Sequence, residues 1–212
     1  RMNALDVGKV TCTGQIMRES VGLRKALDLV VADMHDPSGP GTGLKWHWRE
    51  GSKCYAWGLA VAYKNTGLGG GAPDKAGAEV ELWIDEDHGV MAEVRTSSAE
   101  MGQGLPAVLA ACVAEELGLR YEQVRVLLGD TDFCPDGGPT TASRQTYVSG
   151  NAARHAAKSL RAILAGVAAS HLGTIPGNIE FRGGQVCANG RHACLADVLT
   201  WAEEEGRETK AA

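Results

Sequence analysis

From Ala78 to Asp85 the chain alternates, with apolar Ala78, Val80, Leu82 and Ile84 set against charged Glu79, Glu81 and Asp85. The alternation resumes over Val90 to Thr96, after Glu86-Asp87-His88-Gly89. Two period-two runs around a short polar turn predict an antiparallel hairpin. At Gly104 the period lengthens. Leu105, Val108, Leu109, Cys112, Val113 and Leu117 recur at helical spacing, so a helix is expected over 105–117, with Gly118 as its C′ residue. A strand is expected over Val124–Leu128. A long helix should follow over about 147–171, where Ala152, Ala153, Ala156, Ala157, Leu160, Ile163 and Leu164 supply an apolar face. Short strands are expected near 178–182 and 185–188 around Gly183-Gly184. A last helix should run from about Leu195 to Glu205, ending at Gly206.

The first part of the chain is less periodic. Leu23, Leu27 and Val30 fall at helical spacing, with Ser20 as the expected N-cap. Asp36-Pro37-Ser38-Gly39-Pro40-Gly41-Thr42-Gly43 is a loop or linker. Trp46, Trp48 and Arg49 follow in a tract of mixed polarity. The run from Tyr55 to Tyr63 is short, apolar and glycine-punctuated, which predicts a buried strand. The order hairpin, helix, strand, helix, hairpin, helix gives an α+β fold. Its expected form is a mixed, largely antiparallel sheet with helices packed on one side, a two-layer sandwich. The expected division is an N-terminal helical segment and linker over 1–50 and an α+β domain over 51–212.

Composition narrows the function. The 212 residues suit one domain or two small ones, and only 5% aromatic content implies an aliphatic core. A net charge of −5 without a basic stripe argues against nucleic acid as a partner. No apolar run approaches the ~20 residues that cross a bilayer. Arg1-Met2-Asn3 opens the chain without a charged leader and apolar core, so a cytoplasmic stretch of a longer protein is expected. The six cysteines include no C-x-x-C pair, and Cys112 sits in an apolar run; reduced thiols and no iron–sulfur cluster are expected. His35, His47, His88, His155, His171 and His192 are scattered with no H-x-x-x-H or H-E-x-x-H, so no metal ligand set is assigned. His88 reads as a hairpin-turn residue.

Two loops carry the candidate chemistry. Glu100-Met101-Gly102-Gln103-Gly104 stands where a strand gives way to a helix. Its glycines admit close approach of a ligand, and the helix N-terminus attracts an anion. Gln103 can donate and accept, while Glu100 reads as solvated or capping. A plain turn with a helix cap is the alternative. The second loop, Gly129 to Thr146, is long and rich in small and hydroxylic residues, and it also runs into a helix. Its Arg144 has a planar fork suited to phosphate or a carbonyl-rich ring. An exposed turn with Ser and Thr caps is the alternative there. Together the loops would make a pocket for a large polar anion, and without ligand they should be mobile. Lys64-Asn65-Thr66-Gly67-Leu68-Gly69-Gly70-Gly71 also looks like a phosphate loop, but it lacks P-loop and dinucleotide-site spacing and leads into a hairpin, so it is read as structural.

Taken in order, these segments resemble the molybdenum-binding large subunit of the xanthine dehydrogenase and aldehyde oxidase family of molybdenum hydroxylases. The likeness begins with Asn3-Ala4-Leu5 and Thr13-Gly14-Gln15. It continues through Gly58-Leu59-Ala60, Lys64-Asn65-Thr66-Gly67-Leu68-Gly69 and Glu100-Met101-Gly102-Gln103-Gly104. It is strongest at Asp130-Thr131-Asp132 and from Gly138 to Thr146, followed by Gly150-Asn151-Ala152. The resemblance implies a molybdopterin cofactor carrying molybdenum, in the bacterial branch often as the cytosine dinucleotide. It implies hydroxylation of a purine-like heterocycle or an aldehyde, with water as oxygen source. Electrons would leave through iron–sulfur clusters and FAD on partner subunits or domains. By motif, Gly102, Gln103, Gly104, Thr141, Ala142, Ser143, Arg144, Gln145 and Thr146 would line the cofactor. The family's catalytic glutamate lies in a G-x-G-E-type motif, and none follows Gly190 here. No catalytic residue is therefore assigned, and this stretch alone is expected to be inactive. Two other readings use the same residues: a non-catalytic protein-interaction module of this fold, and a nucleotide-binding domain built on the glycine loop at 67–71.

Overall fold

The computed structural model describes residues 4–34 and 47–212; Asn3, His35, Trp46 and the expected linker at 36–43 lie outside the described residues. The chain divides into two compact units, 1–63 and 64–212. The division thus falls after Tyr63, whereas the sequence pattern places it after residue 50.

In the first unit, α1 (Leu23–Asp33) buries only Leu27, and Val30 stays exposed. Its N-cap is Gly22, without a side-chain cap bond, so the expected Ser20 cap is not formed. Strands β1 (His47–Glu50) and β2 (Lys53–Ala56) form an antiparallel hairpin, with Trp48 opposite Tyr55 and their rings stacked at 5.1 Å. The expected buried strand over 55–63 is corrected. Only Tyr55 and Ala56 belong to a strand, and every residue from 55 to 63 is exposed. An apolar run that is not alternating needs cover on both faces to become a buried strand. No described strand pairs with Trp57–Tyr63.

The second unit is built on the hairpin that the alternation predicts, β3 (Glu79–Asp85) and β4 (Gly89–Thr96). The register sets Val80 against Val94, Leu82 against Ala92 and Ile84 against Val90. Helix α2 (Leu105–Leu117) then carries the chain to β5 (Val124–Leu128), which pairs parallel to β4. Strand β9 (Lys210–Ala211) adds antiparallel to β3, so the sheet order is β5-β4-β3-β9 and the sheet is mixed. Alternation sends Val80, Leu82, Ala92 and Val94 to one face, where they are buried with Leu105, Leu109 and Val113 of α2. Helix α3 (Val148–Leu172) completes that core with Ala153, Ala156, Ala157, Leu160 and Leu164. Alanine at this spacing lets the long helix lie close to the sheet. Three short antiparallel strands, β6 (Glu180–Arg182), β7 (Gln185–Ala188) and β8 (Arg191–Cys194), lead to α4 (Leu195–Glu204), whose Leu195, Val198 and Leu199 join the same core. The expected α+β architecture is the observed one.

The other face of the sheet is charged. Arg95 binds Glu79 at 2.9 Å, Glu93 at 2.6 Å and Glu81 at 2.5 Å, and Lys210 binds Glu79 at 2.8 Å. This face carries the polar half of the alternation. All six cysteines are free.

Candidate functional site

Both candidate loops leave the same edge of the sheet, one from β4 and one from β5. Backbone and side-chain bonds lace them together. The Ser97 N–H donates to the Pro135 carbonyl at 3.0 Å, and the Gly137 N–H donates to Ser97 Oγ at 2.7 Å. The Ala99 N–H donates to Thr140 Oγ1 at 2.8 Å, and Ser98 Oγ donates to Gln145 Oε1 at 2.9 Å. The backbone of these loops therefore finds partners within the protein.

In the first loop Glu100 folds back onto the start of α2. Its carboxylate accepts from the N–H groups of Gly102 at 2.5 Å, Gly104 at 3.1 Å and Leu105 at 2.6 Å. Burial opposes the charge, but the N–H groups of Gly104, Gly102, Leu105 and Gln103 outweigh it and hold the Glu100 pKa below the ordinary glutamate value. The positive end of α2, expected to be open to a ligand anion, thus holds the chain's own carboxylate. Gln103 is also tied locally, accepting from the Met101 N–H at 2.6 Å and donating to the Ala99 carbonyl at 2.8 Å. A carboxylate depressed on folding stabilises above its unfolded pKa, and that contribution is lost as pH falls through the folded value. Glu100→Gln keeps the shape without the charge. Amide hydrogens in the first turn of α2 should exchange faster in the variant at pH 7, and the difference should shrink as pH falls below the ordinary glutamate value and close once the depressed folded value is passed. Equal exchange at neutral pH would remove Glu100 as the cap.

The second loop sorts its residues by burial. Ala142, Arg144 and Gln145 are buried, whereas Thr141, Ser143 and Thr146 are exposed. Ala142 and Ser143 take positive φ angles of 54° and 51°, and the Gly67 N–H binds the Ala142 carbonyl at 2.8 Å. Arg144 is 0% exposed. Its Nε donates to Asp74, its Nη1 to the carbonyls of Gly137 at 3.1 Å and Pro139 at 3.0 Å, and its Nη2 to the Lys75 carbonyl. The fork that suited phosphate in the sequence is therefore committed to the protein. The Arg144 bond, outweighing burial and aided by the Leu68 N–H, holds the Asp74 pKa below its ordinary value. Gln145 is committed too: its Oε1 accepts from Ser98 and Ser149, and its Nε2 donates to Thr140 Oγ1 at 3.0 Å.

A cavity of about 670 Å³ opens between the two loops. Gly102 and Gln103 line it from one side, and Thr141, Ala142, Ser143, Arg144, Gln145 and Thr146 from the other. Gly104 alone of the candidates stands behind the wall, with its N–H on Glu100. Lys64 also lines the cavity, although its glycine loop reads as structural in the sequence. No spacing in the sequence signals its place, because the Gly67–Ala142 bond that brings its segment here joins distant parts of the chain. Among the described residues the one group of three metal-type side chains is Asp85, Asp87 and His88, in the β3–β4 turn away from the loops. There Asp85 Oδ1 is engaged by the Asp87 and His88 N–H groups and by the His88 ring, as a turn residue would be.

Two loops thus present hydroxyl groups and backbone around one cavity at the end of an α+β sheet. Residues 45–211 match the molybdopterin cofactor-binding domain family, and the chain belongs to it. It is 35% identical over 122 residues to one of the subunits of nicotinate dehydrogenase from Pseudomonas putida, covering 57% of this chain and 10% of that protein. It is 33% identical over 150 residues to the gamma subunit of the 6-hydroxypseudooxynicotine dehydrogenase complex of Paenarthrobacter nicotinovorans, covering 68% of this chain and 18% of that protein. The chain thus spans less than a fifth of either relative. The crystal structure of quinoline 2-oxidoreductase from Pseudomonas putida 86 shares the fold, with a TM-score of 0.57 and 24% identity over 66% of this chain and 19% of that one. No helix among the described residues is long and apolar enough to cross a membrane.

Proposed function

We propose that the cavity between the two loops is one wall of the molybdopterin site of a molybdenum hydroxylase. The observation that carries this reading is the convergence of Gly102–Gln103 and Thr141–Thr146 on one cavity. The donor set fits a phosphorylated, oxygen-rich group. Thr141, Ser143 and Thr146 are exposed on the cavity wall, and the N–H groups of Ser143 and Thr146 have no acceptor among the described residues. The side chains of Arg144 and Gln145 would hold the wall in shape, while the three hydroxyl residues, the free N–H groups and the Gly102–Gln103 backbone would touch the ligand. When bound, the cofactor supplies the molybdenum centre at which a substrate C–H is hydroxylated with oxygen from water.

The parent enzyme would act on a purine-like heterocycle or an aldehyde, in the cytoplasm, with iron–sulfur and FAD partners, and its cofactor would be molybdopterin, which the bacterial branch of the family often extends with a cytosine nucleotide. This chain contributes binding and orientation. Glu100, the acid of the first loop, is engaged by the N–H groups of Gly102, Gly104 and Leu105 and would serve as a helix cap, not as a proton-transferring group. In the full-length subunit, Thr141→Val combined with Thr146→Val should weaken pterin binding roughly thirtyfold, two lost hydrogen bonds at about 1 kcal/mol each, while His88→Ala leaves it unchanged. The isolated chain should hold no stoichiometric molybdenum and reduce no dye acceptor. Unaltered pterin in the double variant, or turnover by the isolated chain, would place the site elsewhere.

A further inference from the structure

Lys64 enters the cavity wall beside the three hydroxyl residues, and no Asp or Glu lines that cavity. Arg144, the other cation in the wall, is buried and neutralised by Asp74. Lys64 makes no ion pair with a described residue; its Nζ donates to two neutral oxygens of its neighbour, Asn65 Oδ1 at 3.0 Å and the Asn65 carbonyl at 3.3 Å. An ammonium held only by neutral acceptors, in a recess with no carboxylate, leaves a net positive charge at the cavity. We infer that Lys64 is the charge partner of a phosphoryl group in this cavity, with Thr141, Ser143 and Thr146 binding the same group through hydroxyl and N–H donors. The inference rests on the cofactor reading of the cavity and adds the ligand atom class and the residue that neutralises it. A lysine suits the task as a point charge on a flexible stem, able to leave Asn65 for a stronger acceptor. The positioning is tertiary. The Gly67 N–H bond to the Ala142 carbonyl and the Leu68 N–H bond to Asp74 fix the segment just after Lys64 against the second loop.

The test uses pyrophosphate and inorganic phosphate as probes on the whole chain, with amide chemical shifts and calorimetric titration as readouts. Wild type should bind pyrophosphate, with shifts at Thr141, Ser143 and Thr146, and binding should weaken as salt is added. Lys64→Gln should weaken binding roughly tenfold or more, the loss of one charge-assisted bond. Lys64→Arg should restore most of it, and Lys158→Gln, an exposed lysine on α3 away from the cavity, should match wild type. Matching melting temperatures for all four proteins exclude a folding effect. If wild type binds at those amides and Lys64→Gln binds equally well, the role of Lys64 is overturned while the cavity reading survives. If wild type binds neither probe, or the shifts map elsewhere, both fail together.

Discussion

Arg144→Met is expected to lower the melting temperature by roughly 10 °C and to loosen both loops. The substitution keeps an apolar stem of similar length and removes every donor. It strands the carbonyls of Gly137 and Lys75, takes one of three donors from the Pro139 carbonyl and leaves Asp74 without its cationic partner. Removing one partner from a buried, fully bonded cluster costs about 3–5 kcal/mol. A domain of this size loses about 2–4 °C per kcal/mol. Hydrogen exchange should rise across 97–104 and 134–146 ahead of the β3–β4 hairpin, because the hairpin is secured by the separate core of Val80, Leu82, Ala92 and Val94. Arg144→Lys keeps the charge but not the fork, so it should recover only part of the loss. A variant that melts with wild type and keeps its loop amides protected would show that the guanidinium does not hold the cavity wall.

The second large effect lies on the far side of the unit. Gly118 and Gly173 end α2 and α3 with the same φ of 65°. The left-handed conformation alone costs any other residue about 1 kcal/mol. A Cβ on Gly118 would also sit 2.6 Å from the Phe181 carbonyl carbon and 2.7 Å from the Arg182 nitrogen, both backbone atoms of β6. Overpacking against backbone adds about 1–3 kcal/mol. At Gly173 the Cβ would meet only Arg191 Nη1 at 3.1 Å, the far end of a flexible side chain. Gly118→Ala should therefore cost about 2–4 kcal/mol in denaturant unfolding, and Gly173→Ala about 1. Equal costs would mean that β6 yields freely, and the packing argument would fall.

These two glycines mark the boundary between what the chain states locally and what it does not. Gly118 was legible as a helix stop, because the apolar period ends at Leu117 and the left-handed cap suits glycine. Its contact with Phe181 was not, since nothing in the local pattern says which distant strand will lie against it. The same holds for the site. Hydrophobic period identified β3, β4, α2, α3 and α4, because burial of one face is imposed residue by residue along each element. It failed over 55–63, where an apolar run without alternation does not say whether a covering layer exists. The ordered motifs placed the chain in its family and singled out the two loops that the fold sets around one cavity. They did not assign roles within Thr141–Thr146, because a loop has no period to sort inward from outward side chains. That sorting came from partners far off in sequence. Asp74 takes the Arg144 fork from 70 positions away, Ser98 takes Gln145 from 47, and the segment after Lys64 is bonded to Ala142. The sequence alone determined the fold class, the family and the two loops. Only tertiary structure decided that Arg144 and Gln145 brace the cavity while Lys64 and three hydroxyl residues face it, because buried polar groups must find partners wherever the folded chain brings them.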